Sequence, residues 1–427
     1  MSDLSLGDWL RRLESLHPSE IDMGLGRVAE VAQRLQVLKP APLVFTVTGT
    51  NGKGSTCAAL DQLLRQSGRR SGCYSSPHLL RYNERVSING RAASDIELIE
   101  AFTAIDQARG DISLTYFEFG TLAALWLFSR AGLDAVVLEV GLGGRLDAVN
   151  VVDADVAVIT SIALDHADYL GDTRDSVGFE KAGIMRDNQP VVCSETDLPV
   201  TFVEQADRLK VTLLQRGLSY GWTPADQGSW SLYGVDASQL NRHIELPAVR
   251  LPRDNLCTAV QAFWAAGLDM PDQDIITALT DTFVPGRLDQ RVIDWRGQSR
   301  SLCLDVGHNP QAAAYLAADM ASRPVSRAAV FGLLSDKNLQ GIISELHGSF
   351  DSWAVAPLPS PRTHSAQALA SGLTAAGERV SACGSIGEAI AHQLDHSDAD
   401  TEIVIFGSFF CVAEAILWLN QQTGGEK

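Results

Sequence analysis

Cysteine is scarce in this 427-residue chain and never paired in a way that would organise it. The seven cysteines (Cys57, Cys73, Cys193, Cys257, Cys303, Cys383 and Cys411) stand singly, with no CxxC pair and mostly among apolar neighbours. That argues against a disulfide framework or a zinc module and fits buried free thiols in a reducing compartment. No apolar run is long enough to span a bilayer. Basic residues are outnumbered 34 to 52, leaving a formal net charge of −18. So acidic a chain is a poor match for a nucleic-acid backbone or an anionic membrane, although an anionic small substrate remains open if cations gather in its site. The opening stretch MSDLSLGDWLRRLESLHP has no basic-then-apolar leader and reads as an amphipathic helix. A cytoplasmic protein without nucleic-acid or membrane partners is the expectation.

At 45% hydrophobic residues there is apolar surface for two or three domains. Apolar strands are predicted at Leu43–Val47, Ala135–Val140, Val156–Thr160 and Val191–Cys193, with helices between them such as Asp95–Ala108 and Phe119–Ala131. Such alternation indicates a mostly parallel sheet flanked by helices. The Gly-, Ser-, Trp- and Tyr-rich stretch 211–249 reads as a small antiparallel excursion. A second alternating series begins near Ser301, with strands at Leu302–Val306, Ala328–Leu333, Ser352–Ala356, Arg379–Ser381 and Ile403–Phe406. The expected architecture is therefore α/β throughout. A P-loop-type domain covers residues 1–287, a hinge or linker 288–297, and a smaller Rossmann-like α/β domain 298–427.

The most informative segment is Thr46–Val47–Thr48–Gly49–Thr50–Asn51–Gly52–Lys53–Gly54–Ser55–Thr56, between a predicted strand and a helical pattern. Strand, glycine-rich turn and helix make a cradle whose backbone N–H groups converge on an anion at the positive end of a helix. Lys53 would reach the β/γ-phosphates and the hydroxyl of Ser55 or Thr56 would sit on Mg²⁺. Gly54 between the lysine and the hydroxyl departs from the usual Walker A spacing. Glu139 ends an apolar strand, as a Walker B-type carboxylate or as a simple surface acid; beside a phosphate loop the metal role is the expectation. Gly141–Leu142–Gly143–Gly144–Arg145–Leu146–Asp147 does not match a dinucleotide fingerprint and reads as a tight loop beside the metal, with Arg145 and Asp147 as polar members. His166 follows another strand end, where open α/β sheets bind ligands, and joins Glu139 as a Mg²⁺ ligand candidate. Lys181 stands in an apolar setting, as a snorkelling surface lysine or as a modified or catalytic one. Asp305, His308 and Asn309 cluster at a later strand end, and Arg287 offers a phosphate contact after Pro285–Gly286.

Taken in order, these segments together with Ser75–Ser76–Pro77–His78–Leu79, Asn83–Glu84–Arg85, Tyr116–Phe117–Glu118 and Glu180–Lys181–Ala182–Gly183–Ile184 resemble the folylpolyglutamate synthase/dihydrofolate synthase family of ATP-dependent Mur-type amide ligases. The resemblance covers nearly the whole chain. It implies a bifunctional ligase that adds L-glutamate to the carboxylate of dihydropteroate and to folate glutamate tails through an acyl phosphate. It implies ATP as cosubstrate, bound by Thr50, Asn51, Gly52, Lys53, Gly54, Ser55 and Thr56, with Asn255 at the adenine and Arg287, Asp305 and His308 reaching it from the second domain on closure. Ser55 and Glu139 would hold one Mg²⁺, and Glu139 with His166 a second, assisted by Lys181 as a carbamate. A monovalent cation is a further option. The acceptor side would comprise Ser76, Pro77, His78 and Arg85 in a loop over the pterin, Phe117 against the ring, and Gly144, Arg145 and Asp147. Two segments depart from the family pattern: Asp305–Val306–Gly307–His308 for Asp-Gly-Ala-His, and Asp336–Lys337–Asn338 for Asp-Lys-Asp. A monomer is expected. The competing expectations are a Mur-type ligase acting on a cell-wall precursor and a non-catalytic nucleotide switch.

Overall fold

The computed structural model describes residues 4–17, 19 and 21–422. The chain divides into two compact units, with the break between Phe283 and Val284.

The first unit is built on an eight-stranded sheet. Its strands are β1 (Leu43–Thr48), β2 (Ser71–Tyr74), β3 (Val86–Ile88), β4 (Arg91–Ala92), β5 (Ala135–Glu139), β6 (Val156–Ile159), β7 (Pro190–Cys193) and β8 (Thr212–Gln215), in the order β4-β3-β2-β5-β1-β6-β7-β8. β3 and β4 are antiparallel additions at one edge; the other six strands run parallel. β1, β5 and β6 are buried nearly end to end because helices cover both faces. Register then decides function. Val47 lies opposite Glu139 and Thr48 opposite Ile159, while Tyr74 lies opposite Leu138. The turns after β1, β2, β5 and β6 therefore emerge side by side at the carboxyl edge of the sheet, where α/β folds bind ligands.

Beyond β8 lies a three-stranded antiparallel sheet, β9 (Gly221–Pro224), β10 (Trp230–Val235) and β11 (Asn241–Leu246). The expected antiparallel excursion is thus present from residue 221, but residues 212–215 extend the main sheet, with Leu213 opposite Val191. Helix Arg253–Ala265 packs against helix Lys53–Gln66, which carries the phosphate loop.

The second unit holds a six-stranded sheet of order β12-β13-β17-β14-β15-β16: β12 (Asp289–Trp295), β13 (Gln298–Asp305), β14 (Arg327–Phe331), β15 (Ser352–Val355), β16 (Val380–Ala382) and β17 (Glu402–Phe406). Segment 288–297, expected to be a linker, is instead mostly strand. β12 pairs antiparallel with β13 across a two-residue turn, Arg296–Gly297, whose φ values of 53° and 81° suit the hairpin turn that matches strand twist. As an edge strand, β12 alternates exposed and half-buried residues, so it lacks the apolar run that marks a central strand. Phe331, Phe350, Trp353 and Phe406 form the aromatic centre of this unit's core.

Candidate active site

The phosphate loop is stapled to the turn after β6. Thr50 Oγ1 donates to Ala163 O at 2.9 Å and accepts from Ala163 N at 3.0 Å. Asn51 N donates to Ser161 Oγ at 2.9 Å, and Thr160 Oγ1 donates to Asn51 O at 2.6 Å. Thr160 and Ser161 were not singled out in the sequence, where Thr160 reads as the end of an apolar strand and Ser161 as the start of the segment after it. Gly52 takes φ +87° at the start of helix Lys53–Gln66, a backbone region costly for a side chain. A Cβ there would fall 2.4 Å from Asn255 Oδ1, so Asn255 lies against the loop. Lys53 Nζ donates to Gly49 O at 2.8 Å, folded back over its own loop.

Ser55 is 2% and Glu139 4% exposed. A Cβ on Gly54 would lie 3.8 Å from Glu139 Oε2, so the carboxylate faces the first turn of the helix. Glu139 Oε2 also accepts from Ser76 N at 3.1 Å. A buried hydroxyl and carboxylate beside a phosphate loop form a hard-oxygen donor set that fits Mg²⁺, which commonly completes its shell with phosphate and water oxygens. Among the described residues no three His, Cys, Asp or Glu side chains gather as a metal cluster. His166 is the left-handed residue, φ 53°, that starts the short helix Ala167–Leu170; its ring is 43% exposed and 4.0 Å from Asp165.

Lys181 is 2% exposed. Burial pushes its amine well below the usual lysine value, the charge of Lys53 adds to this, and Asp165 and Asp147 oppose it. Asp147 is pushed up to about 6 by burial, against backbone N–H groups and Lys53, which favour the carboxylate. Its oxygens accept from Leu142 N at 2.8 Å and Val149 N at 3.0 Å. Lys53, Asp147, Asp165 and Lys181 thus sense one another electrostatically.

Residues 75–85 form a loop with its ends held together: Ser75 N donates to Arg85 O at 2.9 Å. Inside it, Glu84 accepts the backbone N–H groups of Leu79, Leu80 and Arg81 at 2.7–2.9 Å. Arg85 Nε donates to His78 Nδ1 at 2.9 Å. Burial, then Arg85, lower His78 to about 4, so its imidazole is neutral and carries its proton on Nε2. Pro77, reached through a cis bond from Ser76, is exposed. Phe117 fills the space beside Gly141, where a Cβ would meet its ring at 2.5 Å, and lies 6.0 Å from the Tyr74 ring. Met23, unnoticed in the sequence, comes within 3.8 Å of a Cβ placed on Gly143.

In the second unit Asp305 is half-buried; desolvation pushes its carboxyl up, with Arg287 opposing. It accepts from Gly307 N at 2.7 Å and Leu288 N at 3.0 Å. His308 Nδ1 bonds Val306 O at 2.9 Å. Arg287 stacks 5.4 Å from the Phe409 ring, and the His308 ring lies 6.4 Å from it. Phe409 was missed in the sequence, though it follows a strand end like the others.

Residues 47–217 match the family described as Mur ligase middle domain, and residues 286–409 match Mur ligase, glutamate ligase domain. The dihydrofolate synthase/folylpolyglutamate synthase of Escherichia coli K12 is 43% identical over 424 residues, 99% of this chain and 97% of that protein. The chain belongs to the dihydrofolate synthase/folylpolyglutamate synthase family. Among solved structures of this family, E. coli FolC in complex with DHPP and ADP superposes with a TM-score of 0.92 at 41% identity, covering 99% of both chains. A bifunctional folylpolyglutamate synthase/dihydrofolate synthase with Mn, AMPPNP and L-glutamate bound gives 0.89 at 43% identity, covering 98% of this chain and 99% of that one. As a family member, the chain is an ATP-dependent ligase with a divalent metal. Among the described residues no helix is long and apolar enough to cross a membrane.

Proposed function

We propose that this chain joins L-glutamate to the carboxylate of dihydropteroate, and to folate glutamate tails, through an acyl phosphate. The observation that carries the reading is the 3.1 Å bond from Ser76 N to Glu139 Oε2. It ties the loop expected over the pterin to the carboxylate expected at the nucleotide's metal, so acceptor and γ-phosphate would meet at one sheet edge. The full-length relatives are named for folate ligation, which favours this reading over a cell-wall precursor.

In the first step an acceptor carboxylate oxygen attacks the γ-phosphorus and ADP leaves. In the second the glutamate amine attacks the acyl carbon, phosphate leaves, and the amine loses its proton. Phosphoryl transfer asks for positioning and charge neutralisation. The backbone of Thr50–Thr56 cradles the phosphates, and Lys53 exchanges its carbonyl partners for phosphate oxygens. Ser55 and Glu139 would hold one Mg²⁺ and Glu139 with His166 a second; bound there, the metal neutralises charge on the phosphate oxygens. Burial lowers the proton affinity of Lys181, which favours the neutral amine that takes up CO₂ with loss of a proton, giving a carbamate for the second metal. The monovalent cation has no ligand set in this reading.

Asn255 is read as an adenine contact, and Arg287, Asp305 and His308 as further nucleotide-binding residues. Ser76, Pro77, His78, Arg85 and Phe117 take the pterin, and Gly144, Arg145 and Asp147 the rest of the acceptor. The enzyme works as a monomer in the cytoplasm, consistent with its unpaired cysteines. ATP hydrolysis should require dihydropteroate and glutamate together. Hydrolysis triggered by uridine-diphosphate muramyl substrates would sink the proposal, and none under any acceptor would favour the nucleotide switch.

A further inference from the structure

Arg145 is held more firmly than a loop residue needs to be. Its backbone N donates to Glu180 O at 2.8 Å. Its guanidinium donates through Nε and Nη2 to Glu180 Oε1 at 3.2 and 2.7 Å, and lies 5.2 Å from the centre of the Phe179 ring. Asn150 Nδ2 donates to Arg145 O and Gly183 O, both at 3.0 Å, tying the loop to the end of helix Arg174–Ala182. The approach is close enough that a Cβ on Gly183 would fall 2.2 Å from Arg145 Cβ.

Two features of this clamp are unfavourable in themselves. Glu180 Oε2 is buried without a hydrogen-bond partner among the described residues, although a buried carboxylate oxygen ordinarily has one. Phe179 leaves 44% of its surface in water. Together they fix one orientation of a planar fork. Glu180 occupies the Nε–Nη2 edge, leaving the Nη1 side directed away from the carboxylate. An arginine so restrained loses less freedom when it binds a carboxylate than a mobile one.

We propose that Phe179 and Glu180 are positioning residues that aim the Nη1 side of Arg145 at the anionic acceptor and thereby set the acceptor's KM. The inference rests on the reading of Arg145 as an acceptor-side residue. Steady-state kinetics with dihydropteroate varied at saturating ATP and glutamate test it, with ATP varied in parallel. Arg145→Ala and Glu180→Ala should each raise the acceptor KM about tenfold or more, as misplacing a positioning group does, with the ATP KM within about twofold. Glu180→Gln, which keeps an accepting oxygen, should recover part of the loss. Phe179→Ala, a change at a half-exposed ring, should raise the same KM several-fold and serves if Glu180→Ala does not fold. The Arg145→Ala/Glu180→Ala double variant should be no worse than Arg145→Ala, because both act through one guanidinium. If Arg145→Ala raises the acceptor KM but the Glu180 and Phe179 variants leave it unchanged, the clamp is structural and the inference falls. If Arg145→Ala leaves it unchanged, the reading of Arg145 fails and takes the inference with it.

Discussion

One added methyl group at two nearby glycines of the phosphate loop should have opposite consequences. At Gly52 the backbone is left-handed, φ +87°, which costs an L-residue about 1–2 kcal/mol. The new Cβ would also fall 2.4 Å from Asn255 Oδ1 and 3.0 Å from its Cγ and Nδ2. Asn255 is partly exposed and can turn aside at about 0.5–1.5 kcal/mol, so Gly52→Ala should destabilise the first unit by about 2–3 kcal/mol. Gly54 lies within helix Lys53–Gln66, and a Cβ there meets Glu139 at an ordinary 3.8 Å. Alanine is the better helix former by up to about 1 kcal/mol, so Gly54→Ala should be neutral or slightly stabilising. Thermal unfolding should then separate the two variants by roughly 5 °C or more. Because Asn255 is displaced, the ATP KM should rise in Gly52→Ala. Equal melting temperatures, or Gly52→Ala the more stable, would refute the assigned loop geometry.

Lys53→Ala should lower turnover by about 10²–10³-fold, the usual loss for a group acting on transition-state charge, with an unchanged melting temperature; near wild-type turnover would remove Lys53 from the chemistry. Asp147 gives a pH signature. Its folded value of about 6 exceeds the ordinary 3.8, so the folded chain holds this proton more tightly than the unfolded one. The associated stability is complete below the unfolded value and is lost as pH rises through about 6, about 3 kcal/mol in all. Asp147→Asn should remove that slope from a denaturation series between about pH 4 and 7, and an unchanged slope would count against it. His308→Ala should raise the ATP KM; an unchanged KM would remove His308 from the proposed nucleotide-binding residues.

Several candidate site residues could be picked out from the sequence because they sit where strands end. A buried parallel strand announces itself as a continuous apolar run, and the polar residue that ends it is easily seen: Glu139 after 135–138, His166 soon after 156–159, and Asp305 at the end of β13. What was not legible lacks such a run. β2 is Ser71–Gly72–Cys73–Tyr74 and becomes a strand through its pairing with β5. β12 opens on three polar residues and alternates exposed with half-buried positions at an edge, and so resembled a connector. Thr160, Ser161, Met23 and Phe409 acquire a role only from neighbours distant in sequence. Thr160 and Asn51 are hydrogen-bonded 109 positions apart, a pairing that no local pattern encodes.

The central claim is that the phosphate delivered by this loop goes to the carboxylate of a pteroate acceptor. The most direct measurement supplies dihydropteroate labelled with oxygen-18 in that carboxylate, together with ATP, Mg²⁺ and L-glutamate, and reads the released inorganic phosphate by mass spectrometry. The account predicts a labelled oxygen in the phosphate and a glutamyl amide product in equal amount, since the acyl–oxygen bond breaks when the amine attacks. Unlabelled phosphate formed alongside the amide would contradict it.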